Sequence, residues 1–151
     1  MRLLKTGPYE PGKHEFQLVS FPEDKTPPYA ILSHVWIKPR TIDVVHPEVQ
    51  FDDIQAEPNP RVLEKHKQGG SRKLEGAFQQ AQRDGWGYIW ADTTCINKAS
   101  SFELSEAINS MFVWYRDAVT CYAYLADVPD DVDLNAEDSA FARSEWWDRG
   151  W

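Results

Sequence analysis

The stretch Tyr88-Ile-Trp-Ala-Asp-Thr-Thr-Cys-Ile-Asn-Lys98 combines an apolar run with a dense group of polar residues. It begins as an apolar run of residues that favour strands, and polar side chains follow within a few positions. This order is typical of a buried strand that ends at the edge of a sheet. Because sites in open parallel sheets form outside the carboxyl ends of the strands, we expect the site of this protein at that edge.

Helical patterns flank the stretch on both sides. On its N-terminal side, apolar residues recur at the spacing of one helical face: Leu74, Ala77, Phe78 and Ala81. This stripe predicts a helix over 71–84 that is capped by Ser71. On the C-terminal side, Ser100 and Glu103 have the spacing of a capping box, which predicts a second helix ending near Asp117.

Two further apolar runs, at 29–36 and 118–125, predict core strands of the same sheet. The alternation of strand and helix predicts parallel crossovers, and therefore an α/β fold with a mostly parallel sheet and flanking helices. A short strand is predicted at 48–51, inside a long excursion that contains several prolines.

The two ends of the chain carry patterns of their own. The runs at 1–5 and 15–21 are separated by glycines and prolines, which predicts a small β-hairpin in an N-terminal extension of residues 1–28. Three tryptophans in the last six residues are too much apolar surface for a solvated tail, so this segment should pack on the body. A sheet of three core strands that ends in an apolar segment is expected to be truncated at its C-terminal end.

Composition limits the class of partner and the compartment. The chain has 151 residues, which suits one core, and a formal net charge of −8. Nucleic acids and anionic membranes are therefore not expected as partners, because both require a basic face. With two cysteines and no apolar run resembling a signal peptide or a membrane span, the sequence indicates a soluble protein of the cytoplasm.

The predicted strand ends bring polar and aromatic side chains to one edge. These are Ser33, His34 and Trp36 after the first core strand, Asp92, Thr93, Thr94, Cys95 and Asn97 after the second, and Asp127 after the third. Two interpretations of Cys95 and His34 stand side by side: a nucleophile with its base, or a buried thiol beside a histidine bonded to backbone. Glu103 has two as well, a helix cap or a carboxylate that stabilises a developing cation. No metal site is expected, because the histidines and cysteines lack ligand spacing.

Four blocks of sequence resemble, in order, the fungal heterokaryon-incompatibility (HET) domain. They are Tyr29-Ala-Ile-Leu-Ser-His-Val-Trp36, Gly87-Tyr-Ile-Trp-Ala-Asp-Thr-Thr-Cys-Ile-Asn97, the helix from Glu103 to Ala118, and Ser144-Glu-Trp-Trp-Asp-Arg-Gly-Trp151. The resemblance covers most of the chain from Tyr29 onward and implies a HET domain over 29–151. The last block departs from the family's pattern, because the threonine-leucine-glutamine-glutamate run that normally follows is missing, so the domain is expected to be incomplete.

The resemblance implies a cytoplasmic effector of self/non-self recognition whose activation leads to programmed cell death. HET domains are considered similar to TIR domains, which implies a TIR-like, flavodoxin-like sheet and cleavage of NAD+ as a substrate, without a bound cofactor. Ser33, Asp92 and Glu103 are then the expected catalytic residues, and the substrate-binding residues are expected to be His34, Trp36, Cys95, Asn97 and Trp147. If the missing glutamate is the catalytic one, this chain is expected to be inactive.

A second hypothesis is a non-catalytic death-signalling module that acts by self-association through exposed aromatic side chains. The expected partners are another copy of the chain, and a NOD-like receptor or another sensor.

Overall fold

The computed structural model describes residues 1–7, 16–37, 48–55 and 70–149. These residues form an α/β fold built on one open, five-stranded mixed sheet with the strand order β2-β1-β4-β3-β5. The strands are β1 (Arg2–Lys5), β2 (Gln17–Ser20), β3 (Ala30–His34), β4 (Tyr88–Trp90) and β5 (Thr120–Tyr124). The helices are α1 (Phe51–Gln55), α2 (Gly70–Arg83), α3 (Asp92–Cys95) and α4 (Ser101–Asp117), and short 3-10 turns occupy Glu23–Lys25 and Glu145–Asp148.

The sheet is mixed because the two N-terminal strands join it. β3 pairs in parallel with β4 on one side and with β5 on the other. β1 pairs antiparallel with both β2 and β4, so half of the four pairings are antiparallel. The expectation of a mostly parallel sheet is therefore corrected. The two N-terminal runs pair with each other as expected, while the turn of the predicted hairpin falls on 8–15, outside the described residues.

The core lies between the sheet and the two long helices. All five residues of β3 are buried, because β3 lies between β4 and β5. Trp90 of β4 packs against Trp114 and Tyr115 of α4, with ring centroids 5.5 and 6.0 Å apart. Phe78 of α2 lies 5.3 Å from the Phe16 ring. The apolar stripe predicted for α2 is buried, as expected.

Three local predictions are corrected. The strand predicted at 48–51 is wrong, because the chain starts a helix at Phe51, where the Asp53 carboxylate accepts a hydrogen bond from the Gln50 amide (3.0 Å). The predicted strand of the stretch 88–98 is short, because β4 ends at Trp90 and α3 begins at Asp92. Ser71 lies inside α2, which begins at Gly70, so Ser71 is not its cap.

The cap of α4 is half of the predicted capping box. The Ser100 hydroxyl accepts a hydrogen bond from the Glu103 amide at 3.3 Å, as expected. The Glu103 carboxylate, however, accepts from the Asn97 amide at 2.7 Å, because the Ser100 amide already donates to the Asn97 carbonyl. The glutamate therefore holds the segment before the cap.

The C-terminal segment packs on the sheet through Trp146, which confirms that part of the prediction. The Trp146 indole N–H lies 3.2 Å from the Ser33 hydroxyl and 3.3 Å from the Ser33 carbonyl oxygen. Trp147 remains half exposed, and Trp151 lies outside the described residues. Within the described ranges, no helix has the length and apolar character needed to cross a membrane.

Candidate functional site

The order of the parallel strands creates a crevice at one edge of the sheet. The chain moves from β3 to β4 on one side, and then from β4 across to β5 on the other side of β3. Right-handed crossovers in opposite directions put their helices on opposite faces, while β3 and β5 stay paired up to His34 and Tyr124. Such a topological switch point is where open α/β sheets bind ligands.

A cavity of about 240 Å³ lies at this switch point. One wall follows β3 and the other follows β5, and the lining residues are Val35, Trp36, Ile37, Ala126, Asp127 and Glu145. The cavity thus combines an indole ring with two carboxylates. Its volume is below the roughly 300–1,000 Å³ of pockets that enclose a whole drug-sized ligand, so it suits one end of a larger molecule.

Asp92 joins the first and second strand ends. One oxygen of its carboxylate lies 2.8 Å from His34 Nε2, and the other accepts a hydrogen bond from the Trp36 indole at 2.9 Å. Burial opposes ionisation, but the bonds from His34 and Trp36 and the charges of His34 and Lys98 hold the pKa of Asp92 below its ordinary value. The carboxylate therefore fixes the edge of the indole that forms the cavity wall.

A cation covers the face of the same indole. Lys98 Nζ lies 4.0 Å from the centre of the Trp36 ring and 3.4 Å from the Thr93 carbonyl oxygen. Burial lowers the pKa of Lys98, against the opposing effects of Asp92 and Glu48. Trp36 is consequently held both at its edge and on one face, and it is still 40% exposed.

These contacts define a strand-end cluster, which consists of His34, Trp36 and Asp92. Asp127 lies next to it and accepts hydrogen bonds from the Ser144 hydroxyl (2.7 Å) and the Glu145 amide (2.8 Å). Although some burial opposes it, these bonds lower the pKa of Asp127, so the carboxylate is ionised at neutral pH. The cavity therefore has a fixed negative charge opposite Trp36.

A separate N-terminal cluster consists of Arg2, Cys95, Asn97 and Glu103. Arg2 lies beside the end of β4, because β1 runs antiparallel to that strand. Its guanidinium pairs with the Glu103 carboxylate and donates to the Cys95 carbonyl oxygen at 3.2 Å. The cluster borders a different cavity, of about 570 Å³, between α4 and the N-terminal residues.

Comparison with known proteins identifies the family. Residues 29–140 match the family described as "Heterokaryon incompatibility protein (HET)". This chain belongs to the HET family. The HET chain is also 42% identical over 158 residues to the "Vegetative incompatibility protein HET-E-1" of Podospora anserina, an alignment that covers 100% of this chain and 10% of the relative. It thus spans a tenth of that relative's length, and no solved structure gave a significant match.

The HET chain brings together only some of the residues predicted for its site. His34, Trp36 and Asp92 meet in the strand-end cluster, whereas Ser33 contacts Trp146, and of these four predicted residues only Trp36 borders the 240 Å³ cavity. Glu103, Cys95 and Asn97 belong to the N-terminal cluster instead. Trp147 packs edge-to-face against Trp146 with ring centroids 4.9 Å apart, and its indole N–H donates to the Phe141 carbonyl oxygen.

The interpretation of Cys95 as a nucleophile gains no support from its surroundings. The thiol is buried and contacts the Ala91 amide (3.5 Å) and the Thr94 hydroxyl (3.8 Å). Burial raises its pKa to about 11, so the unreactive thiol form prevails. His34 Nε2 contacts Asp92 instead. The described ranges contain no group of three or more His, Cys, Asp or Glu residues that could hold a metal ion.

Several residues around the cavity were absent from the predicted site. Asp127 was noted at the end of the third strand, and its place at the strand end is the signal that identifies it. Glu145 carries no such signal, because its position depends on how the C-terminal segment packs. Lys73 and Glu48 form a buried ion pair behind the cavity wall. Nothing in the sequence distinguishes these two from surface charges.

Proposed function

We propose that this HET domain is a cytoplasmic effector of heterokaryon incompatibility that triggers programmed cell death by cleaving NAD+ at the cavity between β3 and β5. The incompatibility role is supported by the family and by the name of the relative from Podospora anserina. The observation that supports cleavage is the cavity itself, which combines an indole and two carboxylates at the switch point.

The sheet topology supports a relationship to TIR domains. The parallel strands have the order β4-β3-β5, so the first parallel strand lies between the second and the third. This order equals the 2-1-3 start of a flavodoxin-like sheet, in which ligands bind at the switch point beside the first strand. The N-terminal strands extend this arrangement on the β4 side and leave the cavity side open.

The chemistry follows from the cavity walls. Trp36 offers a π surface for the nicotinamide ring, and its edge and one face are already fixed. When the glycosidic bond breaks, its electron pair leaves with the nicotinamide nitrogen and positive charge develops on the ribosyl carbon. The carboxylates of Asp127 and Glu145 stabilise that charge, and water then adds to the carbon and releases a proton.

In this proposal, Asp92 and Ser33 act through their neighbours. Asp92 orients Trp36, and Ser33 anchors Trp146 in the segment that carries Glu145. Glu103 does not line this cavity, and its carboxylate binds the Asn97 amide and Arg2.

Nicotinamide release from NAD+ tests the cleavage proposal. We expect the purified chain to release nicotinamide, and Asp127→Asn or Glu145→Gln to reduce kcat by about 10²-fold, as expected for loss of a charge that stabilises the transition state. Asp130 is an exposed carboxylate three residues after Asp127. Asp130→Asn is therefore the matched control and should keep full activity. Absence of nicotinamide release by the folded wild-type chain would contradict the proposal.

The second candidate is a non-catalytic module that signals by self-association. Its support is an exposed apolar surface on α4, where Phe102, Ile108 and Phe112 are 79%, 60% and 76% exposed. Large side chains exposed together are typical of protein interaction sites. A second copy of the chain, or a sensor such as a NOD-like receptor, is the proposed partner.

Sedimentation measurements test this second candidate. A wild-type chain that dimerises with increasing concentration, and a Phe102→Ser/Phe112→Ser variant that stays monomeric, would support it. A wild-type chain that remains monomeric at all concentrations would count against it. Because this experiment needs no NAD+, its result is independent of the cleavage proposal.

A further inference from the structure

Lys73 and Glu48 form an ion pair in the interior of the domain. Their side chains are only 2% and 1% exposed. Removing two charges from water is costly, and buried ion pairs often add no net stability compared with apolar residues of similar size. Burial lowers the pKa of Lys73, with Glu48 opposing that shift. Stability alone therefore does not account for the pair.

The hydrogen bonds of the pair lead to the cavity wall. Lys73 Nζ donates to the Val35 carbonyl oxygen at 3.0 Å, and Glu48 Oε1 accepts from the Ile37 amide at 2.7 Å. The Val35 carbonyl belongs to the peptide unit before Trp36, and the Ile37 amide belongs to the peptide unit after it. The ion pair thus holds both peptide units that flank the indole.

The ion pair adds backbone contacts to the side-chain contacts that hold Trp36. The ring of Trp36 is fixed at its edge by Asp92 and on its face by Lys98, but these contacts leave the backbone after β3 unrestrained. The residues after His34 have no strand pairing, so the backbone there needs another source of order. The hydrogen bonds from Lys73 of α2 and to Glu48 order this backbone.

We propose that Lys73 and Glu48 are positioning residues, which set the backbone of Val35–Ile37 so that Trp36 faces the cavity ready to receive the nicotinamide ring. The ligand in this inference rests on the proposed function, whereas the positioning of Trp36 does not. An indole fixed before binding loses less entropy when a ligand stacks on it. Loss of the pair should therefore weaken substrate binding more than it slows the chemical step.

The test compares two variants by hydrogen exchange in NMR spectra. Lys73→Met/Glu48→Leu removes both charges of the ion pair together. Leu74→Ala, in the next position of α2, is the matched control, because it lowers stability by opening the core and breaks no bond to the wall. The Trp36 indole signal is assigned with Trp36→Phe, and the Ile37 amide is compared with the Ile31 amide in β3.

We expect the Ile37 amide of the double variant to exchange about tenfold faster than in the wild type, relative to Ile31, as expected for loss of a hydrogen bond to a charged group. The Trp36 indole signal should shift, and KM for NAD+ should rise with little change in kcat. In Leu74→Ala, the ratio of the two amides should stay as in the wild type.

The proposal is overturned if the folded double variant keeps the wild-type ratio and indole signal. It is also overturned if the Ile37 amide of the wild-type chain shows no protection, a measurement that remains available if the double variant does not fold. Exchange requires no NAD+, so an inactive chain with a protected Ile37 amide would contradict the cleavage proposal and leave this one supported.

Discussion

The strand-end cluster and the N-terminal cluster use residues from one short stretch, 92–103, but they differ in nearly every physical respect. In the strand-end cluster His34 and Asp92 are buried, and the Asp92 carboxylate is bonded to His34 and to the partly exposed Trp36, which borders the cavity at the switch point. The N-terminal cluster is partly exposed and uses its carboxylate to join the N-terminus to a helix cap. The two clusters contact different strands, because the first includes His34 of β3 and the second includes Arg2 of β1.

The short helix α3 brings residues that are close in sequence into contact with different parts of the fold. Asp92 at the start of α3 accepts a hydrogen bond from Trp36, whereas the Cys95 carbonyl at its end accepts one from Arg2. Two carboxylates near each other in sequence then have unrelated roles. Asp92 orients an indole, and Glu103 holds the segment before a helix cap.

The largest effect is expected from removing the carboxylate of the strand-end cluster. Asp92→Ala leaves His34 and the Trp36 indole without their shared acceptor in a buried site, which should cost about 3 kcal/mol of unfolding free energy. Urea unfolding followed by circular dichroism measures this. A cost near zero would mean that the cluster does not order the strand ends.

The stability contributed by the strand-end cluster should depend on pH, because it involves the Asp92 carboxylate. The pKa of Asp92 is lowered in the folded state, so its contribution is complete above the ordinary value of 3.8 and is lost as pH falls through the folded pKa. The stability difference between wild type and Asp92→Asn should therefore shrink below pH 3.8. Unfolding at a series of pH values provides the measurement, and a constant difference would show that the folded state does not favour the ionised carboxylate.

A smaller effect is expected in the N-terminal cluster. Glu103→Ala removes an acceptor of the Asn97 amide and the partner of Arg2, and at 27% side-chain exposure this should cost about 1 kcal/mol. NAD+ turnover should persist if the site is the cavity beside Trp36. Turnover lost from a folded variant would instead support the sequence-based prediction that Glu103 is catalytic.

The smallest effects should distinguish the two neighbouring tryptophans. Trp146→Phe loses the contact with Ser33 and should cost about 1 kcal/mol, as expected for one partly buried hydrogen bond. Trp147→Phe loses an exposed bond to Phe141 and should cost less than about 0.5 kcal/mol. Thermal unfolding of the two variants compares them directly, and equal costs would mean that Trp146 does not anchor the C-terminal segment.

Local patterns in the sequence predicted the helices and the parallel strands well. The stripe of α2 and the serine cap of α4 depend on residues a few positions apart, so their physics is visible in the sequence. The strand predicted at 48–51 failed because Asp53 binds the Gln50 amide and favours a helix there. The pairing of β1 with β4 depends on contacts between distant residues, which no local pattern specifies.

The candidate site was predictable only where strand ends converge. That rule placed Asp92, His34 and Trp36 together, because β3 and β4 are parallel neighbours. It could not separate Glu103 from them, because the turn of α3 is too short to have a periodicity. Lys73 and Glu48 could not be predicted for a different reason. The sequence does not distinguish a charged residue that contacts water from one that contacts another buried charge.

An NMR titration of the labelled chain with NAD+ shows which of the two clusters binds the substrate, because both give signals in the same spectra. We predict shifts of the Trp36 indole and of the Ile37 and Asp127 amides around the 240 Å³ cavity, while the Asn97 and Glu103 amides stay unchanged. Shifts confined to Asn97 and Glu103, or no shifts at saturating NAD+, would contradict the account.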